Sequence, residues 1–217
     1  MNKRAKDLLA KGIAELGISL SSAQLTALDL FAEELKKWNR KINLTAIFDD
    51  QGIAVKHFVD SLTLLKVVNG GGKLLDIGSG GGFPCIPAKI ALPDLDVLSV
   101  DSVVKKISFQ KQAARLLKFE RFEALHVRAE DLDGDYAGAF DWVVSRAFSE
   151  IPLFVSMALP VLKETGTIVA MKGRNGAEEA AASEGELARM GARIEKVIEF
   201  PLPCSDEHRS LVLIRKG

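Results

Sequence analysis

Along residues 1–70 apolar side chains return every three or four positions, the spacing of a helix face. Leu8, Leu9, Ile13 and Leu16 predict a first helix that stops near Gly17. Ser21 or Ser22 can cap a second, whose face carries Leu25, Leu28, Ala32, Leu35 and Trp38. A third runs over 49–68 and sets His57 and Asp60 three apart on one face, the spacing of an oriented polar pair. From Lys73 the rhythm changes. Short apolar runs at 73–77, 96–100, 123–127, 140–145 and 166–171 predict strands, and the stretches from 83 to before Pro93, 103–118, 150–162 and 177–190 predict the helices between and after them. Two closing strands, near 192–199 and 209–215, read as an antiparallel hairpin. The chain thus divides into a helical extension, 1–70, and an α/β unit, 71–217, with a mostly parallel open sheet.

The stretch KLLDIGSGGGFPCIP, 73–87, is the centre of this pattern: a buried strand feeds a glycine-rich turn and then a helix, the nucleotide-cofactor corner of an open α/β sheet. Glycines at 78, 80 and 82 permit a tight turn and let a ligand lie against the backbone. A dinucleotide fingerprint counted from Gly78 would need glycine where Phe83 stands, and counted from Gly80 where Cys85 stands. The spacing Asp76-x-Gly78-x-Gly80-x-Gly82 instead resembles the first motif of S-adenosylmethionine (SAM) methyltransferases. SAM has a cationic sulfonium and an amino-acid head group, and Asp76 suits those charges directly or through water.

Composition narrows the partners. Lys plus Arg and Asp plus Glu both number 29, so a polyanionic partner must be met by a local patch. Two such patches stand out: Lys36, Lys37, Arg40 and Lys41 at the end of the second helix, and Lys105, Lys106, Lys111, Arg115 and Lys118 on the helix after the second strand. Each alone is also what a solvated helix face looks like. Cys85 and Cys204 form no metal-binding spacing and indicate a reducing compartment, no run approaches a membrane span, and a cytoplasmic location is expected.

Strand ends supply the remaining candidates. Asp101 closes the second strand 23 residues after Gly78, placed to accept the ribose hydroxyls of an adenosine; capping the next helix is the competing role, which Ser102 can fill. Arg146 ends the fourth strand and should face the crevice.

Taken in order, KWNRKINLT (37–45), KHFVDS (56–61), the glycine stretch, VDSVVKK (100–106), RAED (128–131), VVSRAF (143–148), MKG (171–173) and HRSLVLIRK (208–216) resemble the RsmG family, also called GidB. The resemblance implies a Rossmann-like class I fold with a seven-stranded sheet and one reversed strand. It also implies transfer of a methyl group from SAM to N7 of a guanine in the decoding-region loop of bacterial 16S ribosomal RNA. Carried over by position, it places Gly78 and Phe83 in the cofactor loop with Asp76, Gly80 and Gly82. Asp101, Ser102 and Val103 fall at the ribose, Ala129 and Glu130 at the adenine, and Arg146 at the cofactor–substrate junction. Arg146 and Lys172 become the catalytic pair, with Lys105, Lys106, Arg209 and His57 toward the RNA. No metal or membrane partner is implied, and a monomer is expected. Many family members have glycine where this chain has Cys85, a small residue that a helix start should tolerate.

Guanine N7 is a lone-pair acceptor without a proton at neutral pH, so the implied chemistry needs no general base. Exocyclic-amine methylation would show an Asn/Asp-Pro-Pro-aromatic motif where this chain has Ser145-Arg146-Ala147-Phe148, and neither cysteine follows the fourth strand as a carbon-5 mechanism would require. Two alternatives stay open at this level: a SAM methyltransferase of a protein or small molecule, and a non-catalytic RNA- or ribosome-binding module.

Overall fold

The computed structural model describes residues 1–217 apart from 133, 147 and 149, so Ala147 of the strand-four motif lies outside the described residues. Seven strands form one sheet: β1 (Lys73–Ile77), β2 (Asp96–Asp101), β3 (Phe122–His126), β4 (Phe140–Arg146), β5 (Leu162–Lys172), β6 (Ala192–Pro201) and β7 (His208–Lys216). Their spatial order is β3-β2-β1-β4-β5-β7-β6. β1 to β5 run parallel, and β7 is antiparallel to both β5 and β6. The order turns back between β1 and β4, which sets a ligand crevice beyond their carboxyl ends.

Strand alternation sorts the core into two layers. Leu75, Ile77, Leu98, Val100 and Val143 pack with the helices Ile151–Ala158 and Gly176–Arg189 on one face. Leu74, Val97, Val144 and Val169 pack on the other face with the helices Cys85–Ala91 and Val104–Leu116 and with the N-terminal extension.

In the extension, α1 (Lys3–Glu15) ends at Leu16 and Gly17 takes φ +70°. α2 (Ser22–Asn39) is capped by Ser21 and Gln24 in a reciprocal capping box. It buries Leu28, Phe31, Ala32 and Leu35, while Leu25 is exposed and Trp38 half-buried. Phe31 is the centre of an aromatic cluster, 5.7 Å from Phe58, 5.5 Å from Phe83 and 5.9 Å from Phe109 between ring centroids. These rings come from α2, the following helical segment, the glycine loop and the helix after β2, so the extension and sheet share one core.

The third helix is not the uniform α-helix that periodicity predicts. An α-turn, Asp50–Gly52, leads into a π-helix, Ile53–Val59, then an α-turn, Asp60–Leu62, and a 3-10 turn, Thr63–Lys66. The wider π-turn carries His57, and His57 and Asp60 do not bond through their side chains; both reach toward Arg146 on β4.

Candidate functional site: a cofactor cavity and a cationic crevice

β1 ends at Ile77 and the chain turns through Gly78, Gly80 and Gly82, at φ +71°, +59° and +81°. A Cβ on Gly82 would stand 2.4 Å from Ile86 Cδ1, whereas one on Gly80 would meet nothing within 4 Å. The loop is fastened from three sides. Gly78 N–H donates to the Val100 carbonyl at 2.9 Å. Gly80 N–H donates to Asp101 Oδ2 at 2.9 Å. Buried Gln110 donates through Nε2 to Ser79 Oγ (2.8 Å) and to the Gly80 carbonyl (2.9 Å). Sequence reasoning missed Gln110; its signal was a polar side chain on the apolar face set by Ile107 and Ala113.

A cavity of about 350 Å³ lies at the strand ends. It brings together Gly78, Asp101, Ser102, Val103, Ala129 and Glu130, six of the predicted cofactor positions. Ile77, Val100, Phe148 and Met157 add apolar wall, and Lys106 stands at its edge. Asp101 is 5% exposed, and its Oδ1 accepts from Val103 N–H at 2.8 Å. It does not cap the next helix, whose N-cap, Val103, has no side-chain cap. An anchored carboxylate, a glycine floor and apolar walls fit an adenosyl group: hydroxyl donors for Asp101, a flat ring for the hydrophobic side.

Five predicted cofactor positions stand elsewhere, among them Arg146, which lines the neighbouring crevice instead of the cavity. Asp76 is fully buried and does not line the cavity. Alternation puts it with Leu74, on the opposite face of β1 from Ile77. Its Oδ2 accepts from Cys85 N–H at 3.1 Å, its Oδ1 has no hydrogen-bond partner among the described residues, and burial raises its pKa to about 7, against the opposing pull of Cys85 and Arg146. Phe83 is also turned away: it stacks on His57 at 4.2 Å and supports the Arg146 guanidinium at 5.1 Å. Gly80 and Gly82 shape the loop without lining the cavity. Cys85 opens its helix fully buried, and burial pushes its thiol well up, which keeps it unreactive.

Beside this cavity a crevice of about 420 Å³ is lined by Ile47, Lys56, His57, Asp60, Arg146, Met171, Lys172, Gly173, Glu207 and Arg209. Asp60, 5% exposed, ties its two arginines together: Oδ2 accepts from Arg146 Nη1 at 3.2 Å and Oδ1 from Arg209 Nε at 2.8 Å. Arg146 also donates to the Lys56 carbonyl (3.0 Å) and approaches His57 Nδ1 at 3.2 Å. Because a guanidinium only donates, Nδ1 accepts and the imidazole proton sits on Nε2. That proton is donated to Thr45 Oγ1 at 2.8 Å. Burial, reinforced by the Arg146 charge, lowers the His57 pKa to about 3, so the ring is neutral and the tautomer fixed.

Lys172 is only 9% exposed along its side chain, and donates to the Phe148 carbonyl at 2.9 Å and Glu179 at 2.7 Å. It thereby holds Phe148, which walls the cofactor cavity. Glu207 pairs with Lys56 (2.6 Å) and Arg209 (2.6 Å). Lys105 lines neither opening and is exposed, while Lys106 lies 3.4 Å from Asp101. Of the residues that orient Arg146 and His57, Asp60 was visible in sequence as the expected polar partner of His57, whereas Thr45 stood only within a short motif.

Sheet order, glycine loop and strand-end carboxylate together define the fold of the class I SAM-dependent methyltransferases. A likeness of fold supports this: a SAM dependent methyltransferase from Aquifex aeolicus superposes with a TM-score of 0.60 at 16% identity, over 84% of this chain and 97% of that one. The family model for GidB, rRNA small subunit methyltransferase G, matches residues 24–211. A ribosomal RNA small subunit methyltransferase G from Geobacter sp. (strain M21) is 65% identical over all of both chains. The protein of the same name from Desulfitobacterium hafniense is 41% identical, over 93% of this chain and 84% of that one. The chain belongs to the rRNA small subunit methyltransferase G family and is a SAM-dependent rRNA methyltransferase. No helix among the described residues is long and apolar enough to cross a membrane, and no group of three or more His, Cys, Asp or Glu side chains among them is placed to hold a metal.

Proposed function

We propose that this chain methylates N7 of one guanine in the decoding-region loop of 16S ribosomal RNA, acting as a cytoplasmic monomer. The observation that carries this reading is the position of Arg146. It ends β4, beside β1 whose end opens the cofactor cavity, and it is held at its crevice by Asp60, His57 and the Lys56 carbonyl.

Gly78, Asp101, Ser102, Val103, Ala129 and Glu130 would hold the cofactor. Bound SAM supplies an electrophilic methyl group. The chain's own contribution is positioning and electrostatics, because the N7 lone pair needs no base to uncover it. Arg146 keeps its charge and offers donors to guanine O6 or to phosphate. Arg209 and Lys56 give the crevice a cationic rim, and Lys172 holds the carbonyl of Phe148, a wall residue of the cofactor cavity. A guanine held in a duplex stack cannot enter, so the target must be unstacked or in a loop.

The test is incubation with methyl-labelled SAM and small subunits lacking native methylation, with label mapped by N7-specific strand cleavage. Label at one guanine N7 in the decoding-region loop is the expected result. Label at another position overturns the site, and label on a protein instead of RNA overturns the substrate.

A further inference from the structure

A third opening lies across the 43–48 loop from the crevice. It is a groove of about 960 Å³ at the end of α2, lined by Lys36, Arg40, Asn43, Phe48 and Lys106 among others. Phe48 is 70% exposed, the most exposed of the large apolar side chains among the described residues. A ring left in water forgoes roughly 2 kcal/mol of burial, and this one does not stand on a slack loop. Asn39 Oδ1 accepts from Leu44 N–H (2.8 Å) and Thr45 N–H (3.0 Å), and its Nδ2 donates to the Thr45 carbonyl (2.9 Å). Ile47 N–H donates to Thr45 Oγ1 at 3.0 Å, and Asp49 accepts from Gly52 N–H at 2.8 Å. Phe48 is therefore presented between two anchored residues.

The charged side chains that line it are all basic. Among the described residues lining the groove none is acidic. Lys36 is engaged by Glu33 and Asp50, but Arg40 is exposed and forms no ion pair among the described residues. Lys106, with its long 3.4 Å contact to Asp101, lines both this groove and the cofactor cavity. Consecutive residues serve different openings: Ile47 lines the crevice and Phe48 the groove. A flat aromatic face beside an exposed arginine that forms no ion pair among the described residues, with a loosely paired lysine at the groove edge, suits single-stranded nucleic acid, by base stacking with backbone neutralisation.

We propose that this groove binds an unpaired nucleotide neighbouring the target guanine, with its base stacked on Phe48 and its phosphates met by Arg40 and Lys106. This rests on the RNA substrate read above and adds where the flanking strand runs: over the 43–48 loop, from crevice to groove.

The full-length protein and its Phe48→Ala, Phe48→Leu and Phe48→Trp variants are compared in two assays, methyl transfer to unmethylated small subunits and affinity for the protein-free ribosomal RNA. Phe48→Ala should weaken RNA affinity and raise the RNA KM by about 10-fold, within the range of a lost base stack, with SAM affinity, kcat at saturating RNA and Tm unchanged. Phe48→Trp should restore both and Phe48→Leu should not. An alanine variant within twofold of wild type, or leucine rescuing as well as tryptophan, overturns stacking. A defect on subunits with unchanged affinity for free RNA also overturns it and assigns Phe48 to a ribosomal protein. A wild-type enzyme that labels no RNA defeats the substrate reading itself, whereas normal wild-type labelling with an indifferent Phe48→Ala defeats only this inference.

Discussion

The crevice and the groove carry the same kind of charge and use it differently. In the crevice, cations stand against carboxylates: Arg146 and Arg209 share Asp60, Arg209 and Lys56 share Glu207, and Lys172 meets Glu179. Such charges are poor at adding affinity, because an incoming phosphate must compete with a partner already in place. They are good at holding a donor in one direction. In the groove Lys36 and Lys106 are paired too, but Arg40 forms no ion pair among the described residues and Phe48 is bare, so contacts with these two add to binding without preset geometry. If, as proposed, the crevice orients the base and the groove captures the strand, kinetics should separate the two: crevice variants in kcat, groove variants in KM.

The largest effect is expected at Arg146. Arg146→Ala should lower kcat by roughly 100-fold or more, the scale of removing an electrostatic donor at the reacting centre, while SAM affinity changes by less than about threefold. Arg146→Lys should recover little, since an ammonium cannot span Asp60, the Lys56 carbonyl and His57 together. Equal turnover in Arg146→Ala would end the view of the crevice as the orienting site.

Next comes Asp60→Asn. It leaves both arginines in place and removes the charge that aligns them, so kcat should fall by about 10-fold and stability by about 2 kcal/mol, or roughly 4–8 °C in Tm. Asp60→Glu should regain stability before turnover. A kcat unchanged in Asp60→Asn at the lower Tm would make Asp60 structural only.

How far these roles were legible in the sequence follows from how local they are. Glycine spacing, β1 and Asp101 are set by neighbours within a few residues, and the cavity they predict is the one the fold forms. Asp76 was assigned to the ligand from its spacing to the glycines and Phe83 from the family resemblance, yet both face the other layer. For Asp76 the period-two alternation with Leu74 already held that information. For Phe83 nothing local did, because its direction is decided by Phe31, Phe58 and His57 arriving from the extension. The π-turn at Ile53–Val59 is equally non-local: its apolar spacing reads as an ordinary helix, and only packing reveals the wider turn. Ion pairing of Lys172 was hidden for the same reason, since Glu179 lies on the next helix.

Two buried groups sharpen the contrast through pH. Folded Asp76 holds its proton up to about pH 7, while its ordinary value is 3.8. Between those values the unfolded chain has lost a proton that the folded chain keeps, so this group makes stability fall as pH rises. Folded His57 stays neutral down to about pH 3, against an ordinary 6.5. There the unfolded chain holds the extra proton, so stability rises with pH across that window. The two slopes oppose one another from about pH 4 to 6.5. Asp76→Asn should therefore expose a steeper rise in Tm over this range, and His57→Gln a fall, each by a few °C relative to wild type. Parallel Tm–pH curves for all three proteins would show that neither group titrates away from its ordinary value.

The smallest effect separates two cations that sequence alone treats alike. Lys105 and Arg40 are both exposed, in basic clusters, and free of ion pairs among the described residues. Only Arg40 lines the groove beside Phe48; Lys105 lines none of the three openings. A cation that neutralises a phosphate on a single strand contributes about 0.7 to the slope of log affinity against log salt concentration. Arg40→Ala should lower that slope by about this amount and leave kcat at saturating RNA unchanged. Lys105→Ala should leave the slope within error of wild type. Equal losses would mean that RNA reads the diffuse field of the whole face, and the groove would have no privileged part in capturing the strand.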